Sequence, residues 1–200
     1  INLNNLPHSV SLEEKNTSAA EAHNVYISNV DHTLNVALPN LEATLQLIGT
    51  NKHGGAFHSY SLSDPSTLTP LGSDFVGNGY THDGASLIID DERCPDKVNG
   101  CTIFIDFNEK EMKLWDITNA DSTEYLSTTT YSDVPASSQY VHSGWGTEDK
   151  QFILLHDEFD EKNSGLNSTV RIFSIADLSN PVQVGQWTGP TKAIDHNGFV

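Results

Sequence analysis

"STVRIFSIADLSNPVQVGQWTG", residues 168–189, is the stretch whose reading decides the fold. An alternating apolar and polar run closes in Ser-Ile-Ala-Asp, a turn carrying Pro181 follows, and a second short run leaves it. A period of two marks a half-buried strand, and turn residues between two such runs make a hairpin. The construction recurs in "GAFHSYSLSDPSTLTPLGSDF" (55–75) and "KEMKLWDITNADSTEYLSTTTY" (110–131), where the first strands end in Ser-Leu-Ser-Asp and Asp-Ile-Thr-Asn. Pro65, Pro70 and Pro181 fall in or beside the turns, where a fixed φ and a missing N–H do least harm.

Upstream of the later two hairpins lie further apolar runs, "CTIFIDF" at 101–107 and "QFILLHDEF" at 151–159. Before these come openings that share a histidine: "AHNVYI" (22–27), "THDGASLII" (81–89), "VHSGWG" (141–146) and "AIDHNGFV" (193–200). His23, His82, His142 and His196 are separated by 59, 60 and 54 residues, which is a repeat. The first unit is less regular, because "HTLNVALPNLEATLQLIGT" (32–50) accommodates either one long strand or a strand with a short helical turn. Four short strands per unit with almost no helical periodicity predict an all-β chain of β-propeller type. The expected blades are 22–80, 81–140 and 141–194, each four-stranded, with the first strand of a fourth at 195–200. Residues 1–21 read as a linker or the end of a preceding blade. Closed propellers carry about four to eight blades, so the remainder is expected from a longer chain or from other copies.

With 27 Asp and Glu against 10 Lys and Arg, the formal charge is −17. Nucleic acid and anionic membrane surfaces are thereby disfavoured as partners. The longest apolar run, near 152–155, falls far short of the roughly 20 residues a membrane-spanning helix requires, so no membrane insertion is expected in this segment. Cys94 and Cys101 enclose "PDKVNG", a turn able to bring the sulfurs together, and a disulfide is expected over two free thiols. A bridge implies an oxidising compartment.

The stretches "AHNVYI", "GYTHDGASLIID", "NEKEMKLWDITN", "VHSGWGTEDKQFILLHDEFDE" and "RIFSIADLSNPVQVGQWTGPTKAIDHNGFV" together resemble the choice-of-anchor B family of bacterial exported proteins, built of LVIVD-type repeats. The resemblance runs from about residue 22 to the end of the sequence. It implies a secreted or surface-displayed β-propeller, held by one of several alternative anchors and without an established activity. No anchor follows within the 200 residues.

In a propeller the first strand of each blade lines the central channel, so the four histidines should face a common axis. Neutral imidazoles suit zinc, copper, iron or nickel, and His23, His82, His142 and His196 are therefore candidate metal ligands. Asn24, Asp83, Asn197 and Asp195 adjoin them and are candidates for fixing ring tautomers from behind the ligands. The alternative is structural: a recurring histidine whose ring bonds the neighbouring blade's backbone, or lines a water-filled channel, repeats just as regularly. "HDEFDE" (156–161) offers a possible calcium loop through Asp157, Glu158 and Asp160, although Phe159 breaks the EF-hand pattern; a solvated acidic loop is its other reading. "GNGYTHDG" lacks the last glycine of a dinucleotide fingerprint, and "VHSGWG" lacks the first glycine of a nucleophile elbow. Trp115, Trp145 and Trp187 read as packing between blades rather than a sugar-stacking platform.

The expectation is an exported binding or scaffolding module with an unknown protein or surface glycan as partner, and a divalent cation as the one cofactor the residues suggest. The competing expectation is a metal-dependent hydrolase or oxygenase, with the four histidines as ligands and Asp83 or Asp195 as base.

Overall fold

β1 (Asn24–Ser28) leads into a two-stranded ribbon, β2 (Val30–Asp31) with β3 (Val36–Ala37), and then pairs with β4 (Thr44–Ile48). β5 (His58–Ser61) and β6 (Thr69–Pro70) complete the first sheet, in the order β1-β4-β5-β6. The second sheet runs β7 (Asp83–Ile89), β8 (Cys101–Phe107), β9 (Met112–Asp116), β10 (Glu124–Thr129). The third runs β11 (Val141–Gly146), β12 (Phe152–Asp157), β13 (Thr169–Ser174), β14 (Val182–Thr188). Among the described residues every pairing is antiparallel, which makes the fold all-β, with three four-stranded sheets and one ribbon. This computed structural model describes residues 4–12, 15, 17, 19–34, 36–72, 79–96, 98–194 and 196–199.

The period-two reading of 101–107 explains how the sheets meet. β8 is buried on both faces. Cys101, Ile103, Ile105 and Phe107 point toward the third sheet and join Ile153, Leu155, Phe173 and Ile175 in one core. Phe104 points the other way, against Ile48, Phe57 and Trp115, and forms a second core with the first sheet. On that same face Thr102 Oγ1 donates to Asn29 Oδ1 at 2.7 Å. Asp106 is also there, buried, accepting from Trp115 Nε1 at 3.3 Å. β7 lies against β1 on one side and β11 on the other without pairing to either. The opening strands of the three units thus stand side by side.

Two expectations need correction. Residues 32–50 hold neither one long strand nor a helical turn: the chain folds the short ribbon and then β4, because Asp31 Oδ1 accepts from the N–H groups of Thr33 and Leu34 and closes a turn there. Residues 196–199 form no strand. The described part of residues 1–21 contributes no strand to any sheet. The disulfide is formed as expected, with Cys94 and Cys101 Cα atoms 5.6 Å apart. Among the described residues no helix is long and apolar enough to cross a membrane.

Candidate functional site

His23, His82 and His142 sit at the starts of the opening strands β1, β7 and β11, while His196 lies on a segment without strand structure. The His23 N–H donates to the Ile48 carbonyl at 2.9 Å and the His82 N–H to that of Phe107 at 2.7 Å, so each is tied to the far end of its own sheet's second strand. His142 falls where the β11–β12 register slips between Val141 and Ser143, a bulge that re-aims the side chain. Two residues on, glycine permits close approach. A Cβ at Gly84 would collide with the Phe104 ring, and one at Gly144 with the Leu154 carbonyl and the Phe107 ring. The buried aromatics of β8 therefore press directly on the opening strands.

These positions bring the four imidazoles into one continuous row. Ring centroids are 4.3 Å apart for His23–His82, 4.3 Å for His82–His142 and 4.5 Å for His142–His196. The middle two rings are buried and the outer two exposed. Tyr80 and Tyr140, each two residues before a histidine, flank the row at 5.9 Å from His82 and 6.1 Å from His142. His82 Nδ1 lies 3.2 Å from the His142 carbonyl oxygen, which only accepts and so fixes the Nδ1–H tautomer. Burial, reinforced by the adjacent imidazoles, pushes His142 down to about 3; burial and then His23 lower His82 as well. Both inner rings are neutral at pH 7 and available as ligands.

The acidic run does not assemble as an oxygen cage, which corrects the calcium-loop expectation. Its three carboxylates go to three places. Asp157 is buried and accepts from the Tyr131 hydroxyl, and from the backbone N–H groups of Tyr140 and Phe159 at 2.8 Å each. Asp160 pairs with the fully buried Arg171, whose Nη1 and Nη2 donate to Oδ2 at 2.8 Å and Oδ1 at 2.9 Å. Arg171 also holds Asp133, Nη2 to Oδ2 at 2.7 Å, and its guanidinium stacks 3.8 Å from the Tyr131 ring centroid. Glu158 alone turns to the histidines: Oε2 is 3.6 Å from His142 Nε2 and Oε1 is 4.0 Å from His196 Nε2. One donor atom from each of these three side chains lies within 4.8 Å of the others. His23 and His82 belong to the row but not to this convergent group.

Of the residues expected to orient the rings, Asn24 and Asp83 bond to each other. Asn24 Nδ2 donates to Asp83 Oδ1 at 2.8 Å, bridging β1 to β7, and Ser143 Oγ donates to the His196 carbonyl at 3.1 Å. Burial raises the Asp83 carboxyl above its ordinary range. Asn197 is exposed, and Asp195 lies outside the described residues. Together Asn24, Asp83, Ser143 and Asn197 line a cleft of about 310 Å³ whose apolar wall is Tyr26, Trp145 and Phe199. Trp145 stands 5.2 Å from Phe199 and 6.1 Å from Tyr26, ring to ring. Of the three tryptophans, Trp115 is packing as expected, Trp187 is exposed on β14, and Trp145 faces this cleft. Sequence reasoning missed the tyrosines, although Tyr-x-His-x-Gly at 80–84 and 140–144 carried the signal.

No family model matches the chain, and no curated protein matches it. Among solved structures, a protein from Lactobacillus plantarum is similar at 15% sequence identity and a TM-score of 0.45, over 72% of this chain and 39% of that one. The chain thus spans about two fifths of that protein's length.

Proposed function

We propose that the chain is part of an exported β-propeller of the choice-of-anchor B kind, acting as a binding module whose ligand is a surface glycan held over the opening strands. The carrying observation is the cleft in which Tyr26, Trp145 and Phe199 face Asn24, Asp83 and Asn197. Aromatic faces beside amide and carboxylate groups are the combination that stacks on sugar C–H surfaces while bonding hydroxyls. Three consecutive four-stranded sheets with their first strands adjacent support the propeller reading, and the Cys94–Cys101 bridge supports export.

Titrating the protein with a panel of soluble hexose and N-acetylhexosamine oligosaccharides while following tryptophan emission tests this. A saturable change is expected for at least one sugar, and its loss in Trp145→Ala with an unchanged far-UV spectrum. No response to any sugar, or one that survives Trp145→Ala, rejects the cleft as the binding face.

A metal-dependent enzyme is the second reading. One observation favours it: two histidines and a glutamate converge, and three protein donors leave coordination positions open for water and substrate.

A further inference from the structure

We infer that His142, His196 and Glu158 form a binding site for one divalent transition-metal ion of the zinc class. The argument starts from His142. Its side chain is 1% exposed, and neither Nδ1 nor Nε2 completes a hydrogen bond. Buried polar atoms are nearly always satisfied, and leaving one bare costs about 1–3 kcal/mol. A ring set between two other imidazoles, at interplanar angles of 52° and 63°, and aimed at a carboxylate is poorly explained as packing alone.

The donor set decides the ligand class. Two imidazole nitrogens and one carboxylate oxygen suit zinc, cobalt, nickel or iron, whereas calcium and magnesium require oxygens. The spacing agrees. With metal–ligand distances of about 2.0–2.2 Å, tetrahedral donors stand about 3.3 Å apart. Glu158 is already 3.6 Å and 4.0 Å from the two nitrogens, and the whole set lies within 4.8 Å. Closing the remaining gap falls to the His196 side chain, which is 68% exposed and so free to turn. The neighbours are those a ligand needs. The His142 carbonyl is held by His82 Nδ1 at 3.2 Å, and the His196 backbone faces the His142 ring, where a ligating imidazole places its second N–H. A chain charge of −17 raises the local cation concentration further.

The site adjoins the sugar cleft but shares no residue with it, and the experiment keeps them apart. The full chain, stripped with chelator, is titrated with Zn²⁺ and separately with Co²⁺ by calorimetry. Because His142→Ala removes a buried ring and risks the fold, the working variants are Glu158→Gln and His196→Ala, with His8→Ala as a remote control and Trp145→Ala as the cleft control. The expected result is one equivalent per chain, weakened by on the order of 10- to 100-fold or more in Glu158→Gln and His196→Ala and unchanged in both controls. Cobalt visible bands should fade in the same two variants. Folded protein that binds no zinc, affinity indifferent to Glu158 and His196, or calcium bound more tightly than zinc overturns the inference.

Discussion

Arg171→Ala is expected to lower the free energy of unfolding by about 3–5 kcal/mol, the cost of stranding a buried charge when its partner is removed. Arg171 and Asp160 are both fully buried, and Asp133 closes the other side of the guanidinium with Nε to Oδ1 at 2.9 Å. Burial opposes the charge on Arg171, but the two carboxylates outweigh it and hold the guanidinium above its ordinary value. Removing it also deletes the stack on Tyr131, whose hydroxyl is committed to Asp157. One side chain thus ties together the segment after β10, the segment after β12 and β13 itself. Urea unfolding followed by circular dichroism measures the effect. A loss below about 1 kcal/mol would show the network to be incidental. Replacing both charges with apolar residues, Arg171→Met with Asp160→Leu, should recover much of the stability, because a buried pair as a whole is worth far less than either half left alone.

The second large effect is a pH dependence centred on Asp106. Burial raises its carboxyl to about 7, against opposing bonds from Trp115 and Thr81. The unfolded chain releases that proton near pH 3.9, so between roughly pH 4 and 7 the folded state binds a proton the unfolded state has lost. Stability therefore falls as pH rises through this window and levels off above it. A shift of about three units corresponds to roughly 4 kcal/mol. His82 and His142 act with the opposite sign: their lowered values mean the unfolded chain binds protons first below pH 6.5, so their contribution is lost on acidification. The comparison of wild type with Asp106→Asn isolates the carboxyl. The variant should gain on the wild type by roughly 4 kcal/mol between pH 4 and pH 8 in urea unfolding, and parallel profiles would contradict the assignment.

Much of the fold was legible because strands announce themselves by alternation. "CTIFIDF" is β8 to the residue, and the runs at 110–131 and 168–189 resolve into β9–β10 and β13–β14. Residues 32–50 misled because a ribbon of two-residue strands is too short to show a period. The histidine row was legible for the same reason as the repeat: one residue type at equivalent positions of units that stack must converge. What one sequence does not display is where a local carboxylate points. Asp157, Glu158 and Asp160 look alike as neighbours in "HDEFDE", yet a buried tyrosine, a histidine pair and a buried arginine divide them. Only Glu158 reaches the row, and that depends on Arg171 and Tyr131 having taken the other two.

The convergence of the opening strands underlies both the cleft and the metal site, and nuclear Overhauser contacts among the histidine ring protons test it most directly. With selectively labelled histidine, the His82 ring should show cross-peaks to His23 and to His142, and His142 a further one to His196, as centroid separations of 4.3–4.5 Å require. A folded protein in which His82 and His142 show no mutual contact would contradict the arrangement of its three sheets.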